Sequence, residues 1–82
     1  MDMAYKISSR LHRTFVNNVR ARREELDMTQ REVAEKMSIS QPSYAQIECG
    51  RSAPSIEQIE KVANALQTTA PQLLMENAFS VA

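Results

Sequence analysis

Residues Thr29–Arg51, TQREVAEKMSISQPSYAQIECGR, read as two short amphipathic helices joined by a tight turn. Thr29-x-x-Glu32 is a capping box: the threonine hydroxyl accepts an amide of the first turn, and the glutamate reaches back to the threonine amide. Val33, Ala34 and Met37 then share one helical face. Ser38-Ile39-Ser40 breaks the helix with two residues that bond their own backbone, flanking an isoleucine that plugs inward. Ser40 is the expected N-cap of the second helix. Pro42 fits its first turn, where a missing N–H is no loss. Because a residue before proline avoids the α region, a start at Pro42 itself is the alternative. Tyr44 and Ile47 form the inward stripe. Gly50, the only glycine of the chain, stands where a left-handed residue ends a helix.

Turning Tyr44 and Ile47 inward leaves Gln41, Pro42, Ser43, Ala45 and Gln46 on the opposite face, which is short and uncharged. A glutamine amide can donate to adenine N7 and accept from N6 at once, and alanine or proline can touch a thymine methyl. A face that merely meets solvent more often carries Lys and Glu. On these residues alone, a base-reading face and a plain polar face both stay open.

No glycine or proline precedes Pro42. Leu11, Phe15, Val19 and Leu26, with Val16 beside them, recur at helical spacing and predict a helix from Ser9 to Leu26. Downstream, Arg51–Pro54 is a loop. Ser55-x-x-Gln58 is a second capping box, opening a helix with the stripe Ile56, Ile59, Val62, Ala63 and Leu66. Thr69-x-x-Gln72 is a third box and opens a short helix through Leu73, Leu74 and Met75, with Pro71 in its first turn. The expectation is an all-α, five-helix domain over residues 9–76, with the two-helix unit at about 30–49. Residues 1–8 are an arm, and residues 77–82 a tail in which Phe79 and Val81 are apolar.

Length and charge narrow the function. Eighty-two residues make one small domain, with room for a modest helical core but not for an enzyme pocket and lid. The single cysteine forms no internal disulfide, there is no membrane-length apolar run and no signal peptide, and the expected compartment is the cytoplasm. Net charge is zero but unevenly spread: Lys6, Arg10, Arg13, Arg20, Arg22 and Arg23 against Asp2 give residues 1–23 a net +5. Residues 24–51 then carry −3 and residues 52–82 carry −2. A basic N-terminal third on a neutral chain suits phosphate contacts from one side. Catalysis finds no support. His12, read as a surface residue, has no ligand partner at spacing, and Cys49 is read as a small, partly buried side chain. No C-x-x-C, H-E-x-x-H or glycine-rich loop occurs. No enzyme, cofactor, metal or small-molecule ligand is expected.

The segment MTQREVAEKMSISQPSYAQIECGRSAPSIEQIEKVANAL resembles the helix-turn-helix domain of the Cro and phage-repressor (XRE) family. The matching residues are Met28-Thr29-Gln30, Val33-Ala34, Met37, Ile39-Ser40-Gln41, Ile47-Glu48, Gly50, Pro54-Ser55 and Ala63–Leu66, and the likeness spans roughly residues 15–75. Two positions depart: Ser38 stands where glycine is common, and Cys49 where asparagine is common. The resemblance implies a lambda-repressor-like fold and binding to a double-stranded DNA operator. It places Gln41, Pro42, Ser43, Ala45 and Gln46 at base edges, with Gln41 first among them. It places Gln30, Arg31 and Arg51, with Arg20 or Arg22 from helix 1, at phosphates. It also implies a structural ion pair between Arg23 and Glu48.

A single module of this size makes few contacts, so a homodimer is expected, acting as a repressor by occupancy on a near-palindromic operator. Leu73, Leu74, Met75 and Phe79 are the candidates for the two-fold contact, with Leu11 and the start of helix 1 as the alternative. Prophage regulator, restriction–modification controller and antitoxin settings remain open. So does a protein-interaction module on the same fold, which would favour a charged or apolar second-helix face and no basic rim.

Overall fold

The computed structural model describes residues 9–79, which form five helices: α1 (Arg10–Glu25), α2 (Gln30–Met37), α3 (Gln41–Glu48), α4 (Ile56–Ala65) and α5 (Ala70–Leu73). The arm at 1–8, Lys6 with it, and Val81 of the tail lie outside the described residues. No helix here is long and apolar enough to cross a membrane.

Every helix starts on a hydroxyl. Ser9, Thr29, Ser40, Ser55 and Thr69 are the N-caps, each accepting the backbone N–H three residues on. At Thr29 and Ser55 the box closes in both directions, through Glu32 and Gln58. At Thr69 only half of it forms, because the Gln72 side-chain oxygen accepts from the Thr68 hydroxyl at 2.7 Å instead of from the Thr69 amide. Ser40 caps α3 with Gln41 first and Pro42 just inside, so the helix begins ahead of the proline.

The first four helices end alike. Asp27, Ser38, Gly50 and Gln67 take φ between 57° and 82°, and the following amide in each case returns to a carbonyl five residues back, as in Met28 N to Arg23 O and Ile39 N to Ala34 O. Gly50 adopts this conformation without a Cβ penalty, whereas Ser38, at φ 60° and ψ 40°, carries one.

The core takes Phe15, Val16 and Val19 from α1, Val33, Ala34 and Met37 from α2, and Tyr44 and Ile47 from α3. Val62, Ala63, Ala65 and Leu66 come from the α4 region, and Leu73 from α5. Each larger side chain buried here contributes roughly 1.5–3 kcal/mol relative to exposure. α1 packs on α3 and α5, α2 on α3 and α4, and α4 on α5.

Leu26 and Ile59 of the expected stripes pack against this core, and two others are exposed. Ile56 is 78% exposed, since the first residue after the Ser55 cap projects beyond the end of the packed helix, and Leu11 is 56% exposed in the first turn of α1. Helix α5 also stops at Leu73 rather than Met75. The buried Asn18 side-chain amide donates to the carbonyls of Leu73 (2.9 Å) and Met75 (2.8 Å), so these groups are satisfied from α1 rather than by further helix.

Candidate nucleic-acid interface

Burial of Tyr44 and Ile47 fixes the rotation of α3 and turns its short polar side outward. Gln41, Pro42, Ser43 and Gln46 are exposed and Ala45 is half-buried. Ser43 is held from the cap: its amide donates to Ser40 Oγ at 3.2 Å, and the Ser40 hydroxyl donates to Ser43 Oγ at 2.9 Å. Gln41 Nε2 donates to Gln30 Oε1 at 2.8 Å, joining the first residues of α2 and α3. That leaves Gln41 its own carbonyl oxygen and a second N–H, the donor and acceptor pair that an adenine edge requires.

Beneath this surface lies a charged cluster. Arg23 donates from Nε to Glu48 Oε1 and from Nη2 to Oε2, both at 2.8 Å, and from Nη1 to the Met28 carbonyl at 2.9 Å. The pair ties α1 to the end of α3 and, through Met28, to the turn before α2. Glu48 is buried, and burial alone would raise its carboxyl; the Arg23 hydrogen bond and the neighbouring Tyr44 hydroxyl outweigh that, leaving it below the ordinary carboxyl value. The Gln30 amide acts on the same carboxylate in the same direction. The hydrogen bond to Glu48 raises Arg23 in turn. Burial, and then the adjoining carboxylate, push the Tyr44 phenol far up; its oxygen is enclosed, with no partner in hydrogen-bond geometry among the described residues.

The remaining cations divide. Arg31 and Arg51 are exposed, Arg51 directly after the left-handed Gly50. Arg20 is exposed, with Nε 3.6 Å from Glu48 Oε2. Arg22 does not join that surface. Its Nε donates to the Leu66 carbonyl and its Nη2 to the Gln67 carbonyl, both at 2.9 Å, its Nη1 to Glu25 at 3.1 Å, and its guanidinium lies 5.4 Å from the Phe79 ring centre. It caps the C-terminal end of α4, where a cation meets free carbonyls, and is withdrawn from the phosphate candidates.

The apolar candidates for a two-fold contact also separate. Leu73 is fully buried and belongs to the core, while Leu74 and Phe79 pack against it. Met75 remains exposed, at 56%. Cys49, read as partly buried, is exposed at the C-cap of α3, and His12, read as a surface residue, is half-buried with Nε2 enclosed. The sequence reading missed Asn18. Its signal was an amide beside the stripe of Phe15, Val19 and Arg22, but its partners lie more than fifty residues away.

Two helices at a tight turn, the second presenting an uncharged amide face beside the capped start of the first, define a helix-turn-helix DNA-binding module. A family model described as "Helix-turn-helix" matches residues 19–73. The chain belongs to this family, of the Cro and XRE type. Among solved structures, the chain is similar to the clp gene regulator ClgR from C. glutamicum, at 29% identity and a TM-score of 0.77, covering 92% of this chain and 97% of that one. A hypothetical transcription factor, NHTF from Neisseria, is similar at 29% identity and a TM-score of 0.76, covering 80% of this chain and 76% of that one. No curated protein matches. Family and neighbours together make this chain a DNA-binding transcriptional regulator.

Proposed function

We propose that the chain is a repressor that binds a near-palindromic operator as a homodimer, with α3 in the major groove. The observation that carries this reading is the Gln41–Gln30 hydrogen bond, which holds an exposed amide at the leading end of α3 with its acceptor and one donor available. Pro42, Ser43, Ala45 and Gln46 complete the base-facing surface, where methyl and methylene groups meet thymine methyls and hydroxyl and amide groups meet polar edges. Gln30, Arg31 and Arg51 take phosphates on either side, fixing register rather than sequence. With no charged base reader on the helix, much of the selectivity comes from DNA shape and deformability.

Dimer formation places two α3 helices about 34–36 Å apart, one helical turn of DNA. Exposed Met75 supports a two-fold contact beyond α5, and exposed Leu11 at the start of α1 supports the alternative. Occupancy of a promoter by a bound dimer blocks polymerase by itself, which favours repression. Selection of bound sequences from a random duplex pool tests the reading. A two-fold symmetric winner is the expected result; a pool without enrichment would refute it.

A further inference from the structure

A series of side chains joins the buried ion pair to the exposed face of α3. Arg23 donates to both oxygens of Glu48 at 2.8 Å, and Glu48, 2% exposed, is the last residue of α3. Burial raises the Glu48 carboxyl, and Arg23, Tyr44 and then the side-chain amide of Gln30 lower it. A hydrogen-bonding neighbour lowers a carboxyl by donating to its charged form, so it is the NH2 group of Gln30 that faces Glu48. The other end of that amide, Oε1, accepts from Gln41 Nε2 at 2.8 Å. From the interior outward the contacts run Arg23, Glu48, Gln30, Gln41. Gln30, the first residue of α2, is half-buried, and Gln41, the first of α3, is exposed.

Each link has a fixed direction. An ionised carboxylate accepts and never donates, and Arg23 takes only two of its roughly four acceptor sites. Gln30 therefore turns its NH2 to Glu48 and its carbonyl away. A carbonyl only accepts, so Gln41 donates to it. What Gln41 then shows to the outside is its own carbonyl and one N–H. That matches an adenine edge, where N7 accepts and N6 donates. Guanine needs two donors, because its N7 and O6 both accept. The remaining N–H of Gln30 suits a phosphate oxygen.

We propose that the buried Glu48 carboxylate is a positioning residue for base selection: by fixing the direction of the Gln30 amide, it makes Gln41 select adenine over guanine. This rests on the DNA-binding reading and names the base chosen within it. A Gln41 amide free to turn over would offer either its carbonyl with one N–H or both N–H groups, and would fit adenine and guanine alike. The Arg23 pair thus does more than tie α1 to α3. It keeps a charge in the interior that is otherwise too costly to hold there, and that charge sets the polarity of two amides in series. Hydrogen bonds in such a chain polarise one another, which strengthens the preferred direction.

The test reverses the chain at one link and releases it at another. Gln30→Lys puts a donor-only group beside Glu48, so Gln41 must accept from it and turn both N–H groups outward. Arg23→Met combined with Glu48→Leu removes both charges together, so that none is stranded, and leaves the direction of Gln30 free. The readout is the ratio of affinities for duplexes carrying adenine or guanine at the base pair whose preference depends on Gln41, at fixed salt. A changed phosphate contact acts on both duplexes alike and cancels. Wild type should favour adenine by about tenfold or more, Gln30→Lys should favour guanine, and the double variant should bring the ratio near one. The Gln41 side-chain amide protons report the same change in the free proteins by nuclear magnetic resonance, which decides the matter for a variant that no longer binds. One proton is hydrogen-bonded and shifted downfield in wild type, and neither is in Gln30→Lys. A folded variant of either kind that keeps the adenine preference or the shifted proton would overturn the role of Glu48 and leave base reading by α3 standing. A wild type with no preference that depends on Gln41 would overturn both.

Discussion

Replacing Arg23 by alanine would leave the Glu48 carboxylate, 2% exposed, without its two 2.8 Å partners, and the Met28 carbonyl without its 2.9 Å donor. Removing one member of a buried pair costs about 3–5 kcal/mol, because an uncompensated charge remains in the interior. Arg20, already 3.6 Å away, moves in to offset part of this, which sets the expected loss near the lower end, about 3 kcal/mol. A small domain holds only about 5–15 kcal/mol in all, so the variant stays folded but melts far below the wild type.

The sign of the pH dependence sharpens the test. In the wild type the folded-state value of Glu48 lies below the ordinary 4.5, so its contribution is complete above that pH and is lost as pH falls through the lowered value. In Arg23→Ala, burial is no longer outweighed, and the folded-state value rises above the unfolded one. The variant's penalty is then full at neutral pH and fades as acid protonates the carboxyl. Urea unfolding at about pH 7 and about pH 4 should therefore show the gap between the two proteins narrowing on acidification. A gap under about 1 kcal/mol at neutral pH, the range of an exposed pair, or one that widens in acid, would refute this account of the cluster.

Three further substitutions probe the scaffold and the association surface. Ser38→Gly should raise stability by about 1 kcal/mol in thermal or urea unfolding, since Ser38 holds a left-handed conformation that a Cβ penalises and its side chain is exposed. Leu73→Ala should cost about 2–5 kcal/mol, as a buried leucine does, without altering the association state of the folded protein. Met75→Ser should do the reverse, weakening association in sedimentation while barely moving the melt.

What the sequence revealed and what it concealed divide by distance along the chain. Thr29 with Glu32, Ser55 with Gln58, and Ser40 with its proline close their contacts within three residues, so residue type and spacing suffice to place those helix starts. The inward turn of Tyr44 and Ile47 follows from helical periodicity, and the exposed glutamine face follows from that. Periodicity misled where a stripe outran its packing surface: Ile56 shares the spacing of Ile59 and Ala63 yet sits on the first, unpacked residue of α4. Leu73 suffered the opposite error. Its helix is short enough to read as a surface appendage, whereas Asn18, reaching from α1, pins the end of that helix to the core. Arg22 and Arg20 are two residues apart and equally basic in sequence. Only the approach of the α4 carbonyls to one and of Glu48 to the other separates a helix cap from a surface cation.

In the proposed complex α3 reads bases through Gln41. The direct measurement is the affinity of wild type and Gln41→Ala for the selected duplex and for each single base-pair change in it, at fixed salt. A bidentate glutamine contributes about 1–3 kcal/mol of discrimination at its base pair. Gln41→Ala should lose this preference at one symmetric pair of positions and keep it elsewhere. Unchanged discrimination at every position, or weakening spread evenly over all of them, would contradict it.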